Sequence, residues 1–484
     1  MAIPPLLRLS IREVSPQVQR GEVSPVELTS ACLDWIDLAD PALNAYITVR
    51  RDEALAEAQA RERQLKRGDY KGPLHGLPIA VKDNIYVKGT RCTMGSKVMA
   101  GFVPEYDAAC VASLRRAGAV VIGKTNCHEF ASGVTSVNPH FGPVRNPWDL
   151  ARVSGGSSGG SAASVSSCMC FGALGTETTG SVRIPSGLCG VVGLKPTLGR
   201  VSTRGVFPLA RSMDCVGVMA RSIWDAAVML GAIAGADRRD AATSGAPLPV
   251  DYAREASRST RRRARVGTPK EYFLELLHRD VRRLFWKFID VLSSVGLEHE
   301  DFDFPRASRV QEVWRPIRYA EPAAVHHDLF LARRDEYGKD VAKMLDEGMK
   351  VKAEEYIRAL DARTEMRREL VAALGGDRVL AFPTTAIPAP PIGAQVVDVG
   401  DERMDVYLAL GRLTLATSVL GLPGVSVPIG FTGEGLPVGA QIVGPPFAEG
   451  LVLRVAHAFE SARGGPSNFI PELPLTALSS RLTS

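Results

Sequence analysis

Hydrophobic and polar positions along this chain follow two periods in turn. Between residues 9 and 67 apolar side chains recur every three to four positions, the spacing of a helix, with Ser15 and Ser24 placed as N-caps, Pro25 in a first turn and strong helix formers over 54–65. The texture changes at Gly76-Leu77-Pro78-Ile79-Ala80-Val81. This short apolar run stops on Lys82-Asp83-Asn84 and reads as a buried strand that presents a charged side chain at its end. Residues 107–117 read as an amphipathic helix closed by Gly118, and 119–122 as the next buried strand. Helix is expected again over 222–234 and over 341–374, the latter as one long helix or a pair. There Val341, Met344, Leu345, Tyr356, Ile357 and Leu360 form a packing stripe. Residues 190–199 and 202–214 read as loop and strand, and 380–385, 425–428 and 439–443 as three further strands, the first two with proline stops. No segment repeats at a fixed period.

Two polar, glycine-dense stretches interrupt this order: Gly155-Gly156-Ser157-Ser158-Gly159-Gly160-Ser161 and Gly175-Thr176-Glu177-Thr178-Thr179-Gly180-Ser181-Val182-Arg183. Thirteen of these sixteen residues are Gly, Ser or Thr, more than a turn needs, which makes the backbone and its N–H groups the working part. A flexible linker is the competing account. The run between them, 162–174, carries Ala, Val, Cys, Met and Phe and reads as buried, and linkers do not bracket buried segments.

Composition narrows the class. With 484 residues, 45% hydrophobic and 23% charged, the chain can bury a large core. The net charge of +5, from 58 basic and 53 acidic residues, is too small to make a surface for nucleic acid. Its one concentration, Arg258, Arg261, Arg262, Arg263 and Arg265, lacks interleaved aromatics and reads as a solvated loop leading into a strand. The eight cysteines show neither a C-x-x-C pair nor zinc-ligand spacing to histidine, so no metal and no disulfide framework is expected. Without a leader-like N-terminus or an apolar run of about 18 residues, a cytoplasmic setting off the membrane is expected. Gly118 to Thr125 matches the phosphate-loop pattern G-x-x-x-x-G-K-[ST], yet four consecutive apolar residues between its glycines make a strand and not a phosphate cradle.

Lys82 at a strand end, Ser157 in the first glycine-rich stretch and Ser181 in the second are the residue types that acyl transfer uses. Serine becomes a nucleophile when a base takes its proton, and lysine is a base only when neutral. Moving a lysine from about 10.4 to near 7 requires roughly 4 kcal/mol, which burial can supply. Spacing alone does not single out these three from the chain's other serines and lysines.

A resemblance does. Gly76 to Asp83, Gly155 to Ser161, Gly175 to Pro185, Cys189-Gly190-Val191-Val192-Gly193-Leu194-Lys195-Pro196 and Gly435-Leu436-Pro437-Val438-Gly439-Ala440-Gln441 together resemble the amidase signature family, over about residues 9–460. The resemblance implies an α/β fold, a single-domain α/β/α sandwich on a large mixed sheet. Its segments would be a helical lead-in over 1–70, the main domain over 71–470 and a tail over 471–484. It also implies Ser181 as nucleophile, Ser157 as bridging serine after a cis peptide, Lys82 as terminal base and an oxyanion hole from the N–H groups of Thr178, Thr179, Gly180 and Ser181.

Cys127, Phe130 and Phe382 are candidate substrate contacts, Arg183 a support for the loop, and His326 and His327 exposed helix residues. Two departures stand out: Thr179 where many members have glycine, and Ser418-Val419-Leu420-Gly421 where Asn-Leu-Thr-Gly is frequent, a change expected to alter the pocket wall. The expected activity is a serine amidohydrolase that cleaves a small-molecule carboxylic amide without cofactor, nucleic acid or membrane, a homodimer being left open. A carbamate or aryl-acylamide hydrolase is the near alternative. The A subunit of a glutamyl-tRNA amidotransferase is the distant one, set aside because residues 301–374 lack features associated with it.

Overall fold

Pro78–Lys82 is buried at every position, which a strand sustains with a neighbour on each edge and cover on each face. The computed structural model, which describes residues 3–259, 264–465 and 469–473, provides both. Eleven strands form one sheet: β1 (Tyr46–Val49), β2 (Pro78–Lys82), β3 (Val120–Thr125), β4 (Gly172–Glu177), β5 (Val192–Lys195), β6 (Cys215–Ala220), β7 (Arg265–Pro269), β8 (Glu298–Phe302), β9 (Arg378–Pro383), β10 (Gly424–Phe431) and β11 (Pro437–Val443). Their spatial order is β1-β3-β2-β4-β6-β5-β10-β11-β9-β7-β8. β2 runs parallel to both β3 and β4, the pairs from β4 through β9 are antiparallel, and β9-β7-β8 are parallel again. The result is the mixed sheet of a single α/β/α sandwich.

The helices Gly159–Ser166 and Arg183–Cys189 pack on each other and on the central strands, while Ile223–Ile233, Arg279–Ser294 and Glu449–Ala462 pack as a second helical group on the same sheet. The main hydrophobic core draws on residues from Ile3 to Leu473, and a second, smaller cluster gathers Cys92, Met94, Phe130, Phe330 and Tyr337. Among the described residues no helix is long and apolar enough to cross a membrane.

The start of the chain departs from the sequence reading in two places. Ser10, not Ser15, caps the helix Ile11–Gln19 through a capping box with Glu13, and Ser15 lies buried inside that helix. Within the helical lead-in, Tyr46-Ile47-Thr48-Val49 forms β1 on the edge of the sheet, as three β-branched residues in a row favour. Ser24 does cap Pro25–Leu43, with proline in its first turn. The charged stretch after 338 is a pair, Lys339–Gly348 and Ala353–Leu374. Residues 202–214 hold no strand, and β6 begins directly after them. Arg261, Arg262 and Arg263 lie outside the described residues, as does the tail from 474; Arg258 pairs with Glu255 and Arg265 with Asp377.

β3 is buried throughout, so the glycine-lysine pattern at 118–125 is a strand as expected. Gly123 sits where an added Cβ would come within 2.7 Å of the Thr48 carbonyl on β1. Lys124 turns inward to pair with Asp83 at 3.2 Å.

Candidate active site

Lys82 ends β2 with its side chain wholly buried. Its Nζ donates to Ser157 Oγ at 2.7 Å and to Thr176 Oγ1 at 2.9 Å. Asn84 Nδ2 donates to the same threonine hydroxyl at 3.1 Å, which keeps that oxygen an acceptor. Burial lowers the Lys82 pKa to about 8, against the opposing pull of Cys127, Asp214 and Glu177. Roughly one amine in ten is then neutral at pH 7.

Ser157 is positioned by its backbone. The Gly156–Ser157 peptide bond is cis, and Gly155 takes a φ of +83°. A Cβ on Gly156 would come within 2.8 Å of Val134, Thr135 and Ser136 backbone atoms, so only glycine lets these segments approach. The Ser157 carbonyl accepts from the His128 N–H at 3.1 Å and from Ser136 Oγ at 3.3 Å. Ser158 N–H donates to the Ser181 carbonyl at 3.2 Å, and Ser158 Oγ to the Thr176 carbonyl at 3.1 Å, which join the two glycine-rich stretches.

Ser181 lies in the short turn between β4 and the helix Arg183–Cys189, 6% exposed. That turn is clamped from beneath. Glu177 accepts from the N–H groups of Val182 and Arg183 at 3.0 Å each and from Arg183 Nη2 at 2.6 Å, a fully buried ion pair. Burial opposes the Glu177 charge, but the Arg183 cation, its hydrogen bonds and Lys195 together hold the carboxyl below its ordinary pKa. Arg183 also donates to Thr417 Oγ1, Ser418 Oγ and Gln441 Oε1, so it supports the loop. Ser418 donates to Glu177 as well, at 2.9 Å. At the departure over 418–421, Ser418 therefore belongs to the clamp.

Above the clamp, Thr178 Oγ1 donates to Asp214 at 2.5 Å and the Thr179 carbonyl accepts from Thr414 Oγ1 at 2.7 Å. Among the described residues, the N–H groups of Thr179, Gly180 and Ser181 have no protein acceptor. Burial lifts the Asp214 carboxyl to about 6.

The remaining candidates divide. Cys127 is buried near enough to Lys82 to influence its charge. Phe130, in the left-handed region at φ +48°, packs in an aromatic cluster with Phe207, Tyr337 and His326. Phe382 is wholly buried in the sheet core against Phe273. His326 is not exposed: it is 1% accessible, meets Phe130 edge-on at 4.4 Å, and burial pushes its pKa down to about 4. His327 is exposed. Sequence reasoning missed Thr176, Asn84, Glu177 and Asp214, whose roles follow from contacts between distant segments and carry no signal in residue type.

Fold and family together define an enzyme of amide groups. The sequence model of the Amidase family matches residues 27–453, and the chain belongs to the amidase signature family. It is 38% identical over 479 residues, covering 94% of this chain and 97% of the relative, to the A subunit of the glutamyl-tRNA(Gln) amidotransferase of Carboxydothermus hydrogenoformans. The solved structure of the same subunit from Thermotoga maritima superposes with a TM-score of 0.80 at 32% identity, covering 98% of this chain and 99% of that one. A chain from a vestigial complex bearing on the origin of an s-triazine catabolic enzyme superposes with a TM-score of 0.89 at 31% identity, covering 94% and 98%.

These relatives overturn two expectations. The expected free-standing hydrolase of linear amides is not what these relatives are named: the 38% identical relative is an amidotransferase A subunit, and a match over 94% of the chain leaves too little to omit residues 301–374. The expectation of a small-molecule substrate with no nucleic acid falls with it, since the relatives' own name joins them to a tRNA. The physical reason is that a serine-lysine arrangement of this kind is compatible with either reading, so the motifs do not separate them.

Proposed function

We propose that this chain is the ammonia-releasing component of an amidotransferase that acts on glutamyl-tRNA(Gln), working with partner subunits in the cytoplasm. The observation that carries the reading is the 38% identity sustained along 94% of the chain. In the proposed cycle, Ser181 Oγ attacks the carbonyl carbon of a primary carboxamide as its proton passes through Ser157 to neutral Lys82. The N–H groups of Thr178, Thr179, Gly180 and Ser181 receive the oxyanion, each worth about 3 kcal/mol in such sites. Collapse breaks the C–N bond, the proton returns through Ser157, and ammonia leaves. Water then attacks the acyl-serine ester as Lys82 takes its proton through Ser157, the C–O bond to Ser181 breaks, the proton returns through Ser157 to Ser181 Oγ, and the acid departs. Ammonia goes to the glutamyl-tRNA held by the partners.

The test is Ser181→Ala in the assembly with its partner subunits. Conversion of glutamyl-tRNA(Gln) is expected to fail with an amide donor and to persist with added ammonium. Conversion driven by the amide donor in the variant would overturn the reading, as would a wild-type chain that hydrolyses amides at full rate alone and supports no tRNA product with any partner.

A further inference from the structure

The segment between β5 and β6 ends on Asp214, a buried acid whose two oxygens have separate tasks. Oδ2 accepts from the N–H groups of Leu209 at 2.8 Å and Ala210 at 3.0 Å. The Met213 and Asp214 N–H groups both donate to the Ala210 carbonyl at 2.9 Å, so residues 209–214 close into a turn around the acid. Oδ1 is left for Thr178 Oγ1, at 2.5 Å.

That turn is itself held at Ser212. Both donors of Ser212 go to Glu321 on the helix Val310–Arg333, the N–H at 3.0 Å and Oγ at 2.5 Å. From the helix Ala353–Leu374, Arg363 Nη2 donates to the Ser212 carbonyl at 2.7 Å and Tyr356 donates to Glu321 Oε1 at 3.0 Å. A line of contacts therefore runs from Glu321 through Ser212 and Asp214 to Thr178, where the turn that carries Ser181 begins.

The N–H groups of Thr179, Gly180 and Ser181 find no protein acceptor among the described residues. Donors left free for a ligand have to be aimed by bonds made elsewhere on the same planar peptide units. For the peptide unit that joins 178 to 179, the Thr178 side chain is held by Asp214 and the Thr179 carbonyl by Thr414, one bond on either side of it.

We propose that Glu321 is a positioning residue for the oxyanion-stabilising turn Thr178–Ser181 and acts through Ser212, Asp214 and Thr178. The proposal rests on Ser181 attacking a carboxamide whose oxyanion these N–H groups receive. Charge on that oxygen develops only in the transition state, so the aim of the donors governs kcat and leaves ground-state binding nearly untouched.

Ammonia release from L-glutamine is measured in the assembly for wild type, Glu321→Leu, Glu321→Gln, Thr178→Val and the Glu321 changes combined with Thr178→Val. Labelling of Ser181 by a fluorophosphonate, which forms the Oγ–P bond as fluoride leaves, counts the folded sites and gives a second rate. Glu321→Leu is expected to lower kcat about tenfold with KM within about twofold, and to slow labelling alike while the labelled fraction stays full. Glu321→Gln keeps one oxygen to accept from Ser212 and is expected to lose about threefold. Thr178→Val is expected to lose about tenfold, and either Glu321 change to add little to it, because both interrupt one path. If Glu321→Leu yields no labelled protein, Glu321→Gln with and without Thr178→Val decides. A loss carried by KM alone, a reduced labelled fraction with an unchanged rate per site, losses that multiply in the combined variants, or no change overturns the positioning role. If the kcat losses appear and no tRNA product ever forms, the amidotransferase reading fails and the positioning stands. If wild type forms product and Glu321→Leu releases ammonia as fast, the reverse holds, and a wild-type Ser181 that neither labels nor releases ammonia overturns both.

Discussion

A glycine is required at position 180, where φ is +148° and an added Cβ would come within 2.6 Å of Ile184 Cδ1. Thr179 keeps an ordinary negative φ, and what fixes it is its carbonyl, which accepts from Thr414 whatever the side chain. Thr179→Gly is therefore expected to keep kcat/KM within about threefold and to lower stability by less than about 1 kcal/mol. Gly180→Ala is expected to lose activity about 100-fold, as displaced oxyanion donors do; steady-state ammonia release checks both. Lys82 makes a second prediction. Its folded pKa of about 8 means that the neutral base accumulates as pH rises, so kcat/KM should climb nearly tenfold per unit below pH 8 and level off above it. A profile flat from pH 6 to 9 would remove Lys82 as the base. Lys82, Ser157 and Ser181 were legible through the motifs around them, whereas Thr176 and Asn84 are ordinary residues until the fold brings them to the lysine.

β2 and β3 show how an element carries a site. Asp83, next to Lys82, accepts from Thr93 N–H at 2.8 Å and Thr93 Oγ1 at 2.5 Å and pairs with Lys124 from the neighbouring strand, all buried. Lys124→Met would leave an uncompensated buried carboxylate, with an expected loss of about 3–5 kcal/mol in urea unfolding. An unchanged midpoint would show that the pair does not hold the strand end. Long apolar runs such as β2, β3 and β9 announced themselves, because strands covered on both faces need no polar alternation. β1 did not, since four residues inside a helical neighbourhood form a strand only because β3 offers an edge. The cap at Ser10 was missed for a similar reason: Ser15 has the right residue type, but only Ser10 has Glu13 three residues ahead to close the box.

At the scale of the whole molecule, His326 ties the helix Val310–Arg333 to the loop over Ser157 as a buried neutral imidazole. Its folded pKa lies below the unfolded value of about 6.5, so the unfolded chain binds the proton more tightly. Stability from this group is complete above pH 6.5 and falls away towards pH 4, by about 3 kcal/mol at pH 4. His326→Phe is expected to flatten that acid limb in urea midpoints measured from pH 7 to 4, and a limb of unchanged slope would assign the loss to other groups.

The sequence by itself determined the alternation of strand and helix, the two glycine-rich stretches and, through its motifs, the family and the three residues of the proposed Ser-Lys chemistry. These depend on local spacing and on residue types that few other positions share. Only the tertiary structure decided that Glu177 and Arg183 clamp the Ser181 turn, that His326 is buried and that Glu321 reaches the turn that carries Asp214, because each depends on which distant segments meet and how much water they exclude. What the proposed ammonia release serves lies further out still. The motifs do not separate hydrolase from amidotransferase, because the Ser157–Ser181 chemistry proposed for this chain is the same for both.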